Sequence, residues 1–164
     1  MSTQDTPQSK SKRRLLRQSD AVLSTRDTPP RDQDLWCLAG TNTFVIPRLF
    51  AKAQVPDSAQ VIAEGTNSTI AETIDQTQDH IDHYKDGVIN YGYDSGWRVH
   101  GDNFVYLEVT HAKKNQVTYG VLNSAIKALR DYMSQPGKWF GQCGFDIWDG
   151  PNQVGEGYIR SYGF

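Results

Sequence analysis

The chain has few cysteines, little net charge and no long apolar run. Its 164 residues include two cysteines, and its formal net charge is −2 at neutral pH. No stretch approaches the roughly 18 consecutive apolar residues that a transmembrane helix needs. A chain this close to neutrality also lacks the overall positive field that attracts nucleic acid. We therefore expect neither a membrane nor a nucleic acid as a partner.

The two cysteines, Cys37 and Cys143, allow two interpretations. In a secreted protein, a disulfide between them would tie the start of the domain to its last hairpin. In an intracellular protein, they would be buried thiols that act as small hydrophobic side chains. Residues 1–12 contain no aliphatic residue after Met1, so they lack the apolar region of a signal peptide. We favour a cytoplasmic protein over one secreted after signal removal, and we leave the oligomeric state open.

Residues 1–34 are predicted to form a disordered basic tail. The segment up to Leu35 carries seven Lys or Arg residues against five Asp, and it has too few aliphatic residues to offset the entropy of ordering. Its basic run Lys10–Arg14 suits a nuclear-import signal, a dibasic processing site or a solubilising charge cluster. Residues 35–164 carry ten basic and fourteen acidic side chains, and they are predicted to form a single domain with one core.

Several short elements are predicted before residue 69. Phe44–Ile46 is expected to be a strand that Pro47 stops, because proline has no N–H for a ladder. Residues 48–53 suit one helical turn. Pro56 and Asp57 punctuate the chain, and the apolar triplet Val61–Ala63 is expected to be another brief strand.

An amphipathic helix is predicted from Thr69 to Tyr84. Thr69 and Glu72 form a capping box, and Gly87 supplies the C-terminal stop. The apolar stripe recurs at helical spacing and comprises Ile70, Ile74, Thr77, Ile81 and Tyr84. The opposite side is an acidic ridge made of Glu72, Asp75, Asp79, Asp82 and Asp86. The ridge is either a solvated surface or a docking site for a basic partner.

The second half alternates strands with one further helix. Strands are expected over 88–93, 97–100, 104–111, 139–148 and 154–162, and a helix over 118–133. The last two strands form a hairpin around the turn Asp149–Asn152. This order predicts an α+β fold, a two-layer sandwich in which an antiparallel or mixed sheet carries two helices on one face.

Aromatic side chains are concentrated late in the chain. Fifteen of the eighteen Phe, Tyr and Trp residues lie at or after Tyr84. Either they build a small core from large rings, or they line a site for a small aromatic or sugar-like ligand or for a protein partner. The candidate ligand-binding residues are Tyr91, Tyr93, Trp97, Tyr106 and Trp148.

Two histidines end strands beside these aromatic residues. His111 or His100, helped by Asp102 or a tyrosine, is a candidate general acid or base. The alternative is a partly buried histidine whose ring nitrogens have structural partners. His80 and His83 lie three apart on the first predicted helix, but exposed histidines among aspartates are commoner than metal sites. We therefore predict no metal and no cofactor.

Four segments near the C-terminus carry a resemblance to known proteins. They are Thr118–Leu122, Ala125 with Ile126 and Leu129, Phe145–Gly150, and Val154–Gly157. Through them, about the last fifty residues resemble small fungal proteins of unknown function, some of which are considered effector-like or secreted. Secreted effectors of this size have several disulfides and a signal peptide, and this chain departs from them in both respects. The resemblance implies a fold, and it assigns no activity and no functional residue.

Two functions are compatible with these features. The first is a small binding domain, with an effector-like role, that holds a ligand or a protein on its aromatic-rich sheet. The second is a cofactor-free lyase, isomerase or cyclase of specialised metabolism with a histidine acid/base in an aromatic pocket. The enzyme hypothesis predicts that His111, Tyr106 and Tyr91 converge on one cavity. The binding hypothesis predicts aromatic side chains exposed on a flat or grooved face.

Overall fold

A computed structural model describes residues 34–50, 56–89 and 96–162. The predicted disordered tail therefore lies outside the described residues, apart from Asp34. Strands and helices follow in the order β1 Trp36–Cys37, β2 Thr43–Leu49, α1 Pro56–Tyr84, β3 Gly96–His100, β4 Val105–His111, α2 Tyr119–Met133, β5 Cys143–Asp149 and β6 Asn152–Ser161.

The strands of the described residues form one antiparallel sheet in the order β1-β2-β5-β6-β4-β3. The β5–β6 hairpin occupies its centre, and the turn of this hairpin contains Gly150 at a positive φ of 57°. Both helices pack on the same face, α1 against α2 and β4, and α2 against β2. The predicted α+β two-layer sandwich with two helices on one face is confirmed, and its sheet is antiparallel.

The core lies between the helices and one face of the sheet. Alternate side chains of the central strands are completely buried there, namely Val105, Leu107, Val109, Phe145, Ile147 and Ile159. The other side chains of these strands point to the side that no helix of the described residues covers, which we call the open face. At one end of the open face, Leu35, Phe44, Ile46 and Trp148 make a second, smaller cluster.

Strand β2 continues through Pro47, so the prediction that proline stops it is wrong. β1 pairs with β2 only at Phe44 and Val45, which leaves β2 as an edge strand at Pro47. The missing N–H of proline costs little where no neighbouring strand needs it. Pairing with β5 runs on to Leu49, so the helical turn predicted over 48–53 is wrong for its first residues.

Helix α1 begins at Pro56, well before the predicted start at Thr69. Proline suits the first helical position because its missing N–H would have no partner there, and Asp57 places a carboxylate at the positive end of the helix dipole. The triplet Val61–Ala63 is helical, so the predicted strand is wrong. Thr69 does not cap the helix, because its hydroxyl donates to the carbonyl of Gly65 at 2.7 Å inside it.

A stripe of buried threonines lets α1 pack closely on α2 and on the sheet. Thr66, Thr69, Thr73 and Thr77 are all 0 % exposed. The hydroxyls of Thr73 and Thr77 donate to the carbonyls one helical turn earlier, so burial leaves both of them hydrogen-bonded. Between the helices, the side chain of Asn123 donates from Nδ2 to Thr77 Oγ1 at 3.0 Å.

The last residue of the predicted acidic ridge, Asp86, has a structural role. α1 ends at Tyr84, and Lys85 takes a left-handed φ of 64°. Asp86 Oδ1 then accepts the backbone N–H of Gly120 at 2.9 Å, in the first turn of α2. The carboxylate satisfies an N–H that has no partner inside the helix, and it opposes the positive end of the helix dipole.

The remaining elements lie close to their predicted positions. β3, β4, α2 and β6 begin within two residues of the expected starts, whereas β5 begins at Cys143 rather than at Trp139. Val88 makes an isolated bridge with Thr118 instead of starting a strand. The rest of that predicted strand, from Asn90 to Tyr93, lies outside the described residues.

Candidate functional site

His111 lies on the helix-facing side of β4, where its ring has a structural partner. Its Nδ1 accepts the backbone N–H of Val117 at 2.9 Å, and this bond supports the loop that leads into α2. Tyr106 points to the open face and lies five positions before His111 along β4, a distance of about 17 Å. The two side chains therefore do not meet, and Tyr91 lies outside the described residues.

His100 and Asp102 lie near the other end of the sheet and contact different groups. His100 is exposed on the open face, where its ring stacks on Tyr106 with centroids 5.9 Å apart. Asp102 accepts the hydroxyl of Ser68 at 2.9 Å, which ties the β3–β4 loop to α1. The structure thus separates His111 from His100 and Asp102, and none of the three lines the groove described below.

The five candidate ligand-binding aromatic residues also separate. Trp97 is 5 % exposed in the core, with its ring 5.9 Å from Tyr119 in an edge-to-face contact. Trp148 is 3 % exposed and stacks on Phe44, inside the small cluster on the open face. Tyr106 is half-buried on the open face. Tyr91 and Tyr93 lie outside the described residues.

A groove of ≈ 250 Å³ crosses the open face over β2, β5, β6 and β4. Its floor includes Gly144, which has no side chain to fill the space between the neighbouring strands. A Cβ placed there would touch nothing closer than Phe50 Cζ at 3.9 Å. The side chains around the floor are Arg48 and Phe50 on one side and Glu108, Thr110, Glu156, Tyr158 and Arg160 on the other. We call this feature the groove.

Two ion pairs hold charged side chains of the groove in place. Arg48 makes a bidentate pair with Asp146, at 3.0 Å from Nη1 and 3.2 Å from Nη2. That hydrogen bonding raises the pKa of Arg48, and the charges of Asp146 and Glu156 act in the same direction. Across the sheet, Glu108 Oε2 accepts from Arg98 at 2.9 Å and 3.1 Å. The planar ends of Arg48 and Glu108 are therefore oriented before any ligand arrives.

Tyr158 stands at the centre of the groove wall. Partial burial raises the pKa of its phenol, and a hydrogen bond to the Glu108 carboxylate raises it further. The guanidinium of Arg160 lies 4.4 Å from the centroid of the Tyr158 ring, in cation–π contact. Arg160 and Glu156 are themselves exposed, one on either side of Tyr158 along β6.

An aromatic patch continues from the groove toward the β3–β4 turn. It comprises His100, Phe104, Tyr106 and Tyr162, and Tyr106 joins it to Tyr158 with ring centroids 5.8 Å apart. Phe104 and Tyr162 are 59 % and 61 % exposed. Phe104 has a positive φ of 60°, which is an uncommon conformation for a bulky residue. Backbone strain thus accompanies an apolar ring that points into solvent.

The histidines and cysteines of the described residues form no metal or disulfide centre. No group of three or more potential metal ligands occurs among these residues. His83 binds Asp79, and this raises the pKa of the imidazole, whereas His80 stacks on Tyr119. Cys37 and Cys143 are not joined by a disulfide. They pair with residues of β2 that lie about 17 Å apart, which is too far for a disulfide.

Cys143 is also poorly suited to nucleophilic chemistry. It lies on the core side of β5, and desolvation raises the pKa of its thiol to about 12. The thiolate, which is the reactive form, is therefore scarce at neutral pH.

No family model, no curated protein and no solved structure matches the chain. The resemblance of the last fifty residues to small fungal proteins therefore stays a prediction. Separately, no helix of the described residues is long and apolar enough to cross a membrane.

Sequence reasoning missed Gly144, Glu108, Tyr158 and Arg160 as site residues. The alternation of β4 already assigns Glu108 to the same side as Tyr106, and the same rule assigns Tyr158 and Arg160 to one side of β6. Local sequence patterns do not say which strands lie beside each other in the sheet. The groove exists because β5 carries Gly144 between Arg48 of β2 and Tyr158 of β6.

Proposed function

We propose that the protein is a small-ligand-binding domain that holds its ligand in the groove on the open face. The observation that carries the proposal is the groove of ≈ 250 Å³ that includes Gly144 and is lined by side chains that are already oriented. A glycine inside a strand weakens the strand, and it often marks a place where another group approaches closely. Here a Cβ would fit with only ordinary contacts, to Phe50 at 3.9 Å and Arg48 at 4.0 Å.

Two glycines of β6, Gly155 and Gly157, make a useful contrast. A Cβ at Gly157 would lie 2.6 Å from Phe145 Cζ, and one at Gly155 would lie 2.5 Å from Val117 Cγ2. Both positions face the core and must stay small so that a larger neighbour fits. Packing explains Gly155 and Gly157, but it does not explain Gly144. Ligand access does.

The alternative, a cofactor-free enzyme with a histidine acid/base, has less support. Neither His111 nor His100 lines the groove, and the lining contains no other histidine among the described residues. We therefore do not carry the enzyme hypothesis forward. An effector-like role rests only on the resemblance to fungal proteins and stays a prediction.

The proposal is tested by locating where small organic probes bind. Phenol and isopropanol are titrated into the ¹⁵N-labelled protein, and backbone amide shifts are recorded. We expect the largest shifts in β5 and β6 around Gly144 and Tyr158, because binding sites combine apolar surface with oriented polar groups. Gly144→Leu fills the groove and should abolish these shifts.

Gly87→Leu is the matched control. Gly87, like Gly144, has no positive φ. It is exposed, a Cβ there has nothing within 4 Å, and it lies outside the groove. Shifts that gather away from the groove, or that survive Gly144→Leu unchanged, would show that the proposed site is wrong.

A further inference from the structure

We infer that the groove takes an uncharged carbohydrate, an inference that rests on the proposed function and specifies its ligand. The first argument is charge. The groove is lined by two arginines, Arg48 and Arg160, and by two glutamates, Glu108 and Glu156. An anion drawn to the guanidinium groups would meet both carboxylates, and a cation drawn to the carboxylates would meet both guanidinium groups. A ligand without charge avoids both penalties.

The second argument is hydrogen-bonding capacity. The pair with Asp146 uses one N–H from each terminal nitrogen of Arg48, and a guanidinium has five N–H donors. Arg98 donates two bonds to Oε2 of Glu108, and the phenol of Tyr158 donates a third bond to this carboxylate, which has about four lone-pair sites. The remaining N–H groups of Arg48 can engage two neighbouring hydroxyls, and Glu108 keeps about one further acceptor site. Neighbouring hydroxyls are the repeating feature of a sugar ring.

The third argument is the apolar surface that faces these polar groups. Phe50 is 40 % exposed at the edge of the groove, opposite Tyr158. A pyranose ring carries hydroxyls around its rim and C–H groups on its faces. It can therefore satisfy the polar groups while its C–H face covers an aromatic side chain. A simple alkyl or aromatic ligand would leave Arg48 and Glu108 without the bonds that they make to water.

The fourth argument is size and continuity. At ≈ 250 Å³, the groove is smaller than the roughly 300–1,000 Å³ of pockets that enclose drug-sized ligands, so it suits a single ring unit. It is not closed, because Tyr158 leads through Tyr106 to the aromatic patch. A chain of several sugar units can therefore place one ring in the groove and the next rings over the patch. An oligosaccharide fits this arrangement better than a monosaccharide.

The experiment compares neutral and charged tetrasaccharides by amide shift titration. The neutral probes are cellotetraose, laminaritetraose and chitotetraose. The charged probes are tetragalacturonate and the glucosamine tetramer, and a blocked neutral peptide of similar length is a further probe. We expect at least one neutral tetrasaccharide to shift the amides around Gly144 and Tyr158. Gly144→Leu should weaken its binding by about tenfold or more, and Gly87→Leu should not.

Salt and the comparison probes decide between ligand classes. Affinity for a neutral sugar should not change between about 0.05 M and about 0.5 M NaCl, whereas binding of a charged probe should weaken. If only a charged sugar or the peptide binds in the groove, the carbohydrate inference is overturned and the binding proposal stands. If phenol and isopropanol bind in the groove but no tetrasaccharide does, the carbohydrate inference is again overturned and the binding proposal again stands. If no probe binds in the groove, both fail.

Discussion

Alanine substitutions at two glycines of the central hairpin test which side of the sheet is packed. At Gly157, on the core side, a Cβ would lie 2.6 Å from Phe145 Cζ and 2.7 Å from the carbonyl oxygen of Glu108. At Gly144, on the open face, the nearest atoms are Phe50 Cζ at 3.9 Å and side-chain nitrogens of Arg48 at 4.0 Å. We expect Gly157→Ala to destabilise the protein and Gly144→Ala to leave it unchanged or slightly more stable.

The magnitudes follow from these contacts. Overpacking a core costs about 1–3 kcal/mol. The upper half of this range applies to Gly157→Ala, because the carbonyl of Glu108 belongs to the β4–β6 ladder and cannot move without disturbing it. At Gly144 an alanine meets only ordinary contacts, and it reduces the freedom of the unfolded chain, which is worth about 0.4–1 kcal/mol. For a domain of this size, 1 kcal/mol corresponds to roughly 4 °C in Tm.

The assay is urea unfolding followed by tryptophan fluorescence, since Trp97 and Trp148 are both buried and report loss of the core. A change in midpoint at constant slope measures the change in the free energy of unfolding. The reasoning is refuted if Gly144→Ala destabilises by more than about 1 kcal/mol, or if Gly157→Ala is tolerated equally well. The first result would mean that the space above Gly144 is filled.

Three further predictions test the helix contacts and the buried thiol by the same unfolding assay. Asp86→Ala removes the acceptor for the Gly120 N–H and should cost about 1 kcal/mol, whereas no loss would mean that the cap is not formed. Asn123→Ala removes the bond to Thr77 and should lower the free energy of unfolding by about 1–3 kcal/mol. Thr77→Val is its partner in a double-mutant cycle, and additive effects of the two substitutions would contradict a direct bond. The pKa of Cys143 is raised from 9.0 to about 12, so the free energy of unfolding should fall as pH rises from 9 toward 12. Cys143→Ala should remove that part of the pH dependence, and an unchanged profile would contradict the assignment.

Strand alternation and helix periodicity were sufficient for the fold class. β4 has hydrophobic residues at Val105, Leu107 and Val109, and all three are buried as the pattern predicts. α2 has both an apolar stripe and a capping residue, Thr118, whose side chain accepts the N–H of Val121. In β4 and α2 the local sequence signals agree with one another, and the tertiary structure keeps the elements that they predict.

α1 shows why the first half was harder to predict. Its buried side includes Thr66, Thr69 and Thr73, which count as polar in a hydrophobicity pattern. The hydroxyls of Thr69 and Thr73 bond to carbonyls of their own helix, so their burial costs less than the residue type suggests. The apolar stripe therefore seemed to start only at Ile70. The triplet Val61–Ala63 then read as an isolated strand, although Ile62 belongs to the buried side of the same helix.

The candidate site was less accessible than the fold because it depends on which strands are neighbours. Trp97 and Trp148 were predicted to bind a ligand because they are aromatic, yet both rings are buried against other side chains. Gly144 was unremarkable by residue type, yet its position between β2 and β6 opens the groove. The residue that makes a groove can be the one without a side chain, and no pattern of apolar residues points to it.

The same residue links the stability of the protein to its proposed activity. If Gly144 served only folding, replacing it should be harmful or neutral for stability and of no consequence for binding. If it keeps the groove open, Gly144→Ala should maintain or raise stability and weaken ligand binding, and Gly144→Leu should weaken binding further. A substitution that raises stability and weakens binding is expected wherever a residue serves function at the expense of stability. A core glycine such as Gly157 cannot give this result, because any side chain there lowers stability first.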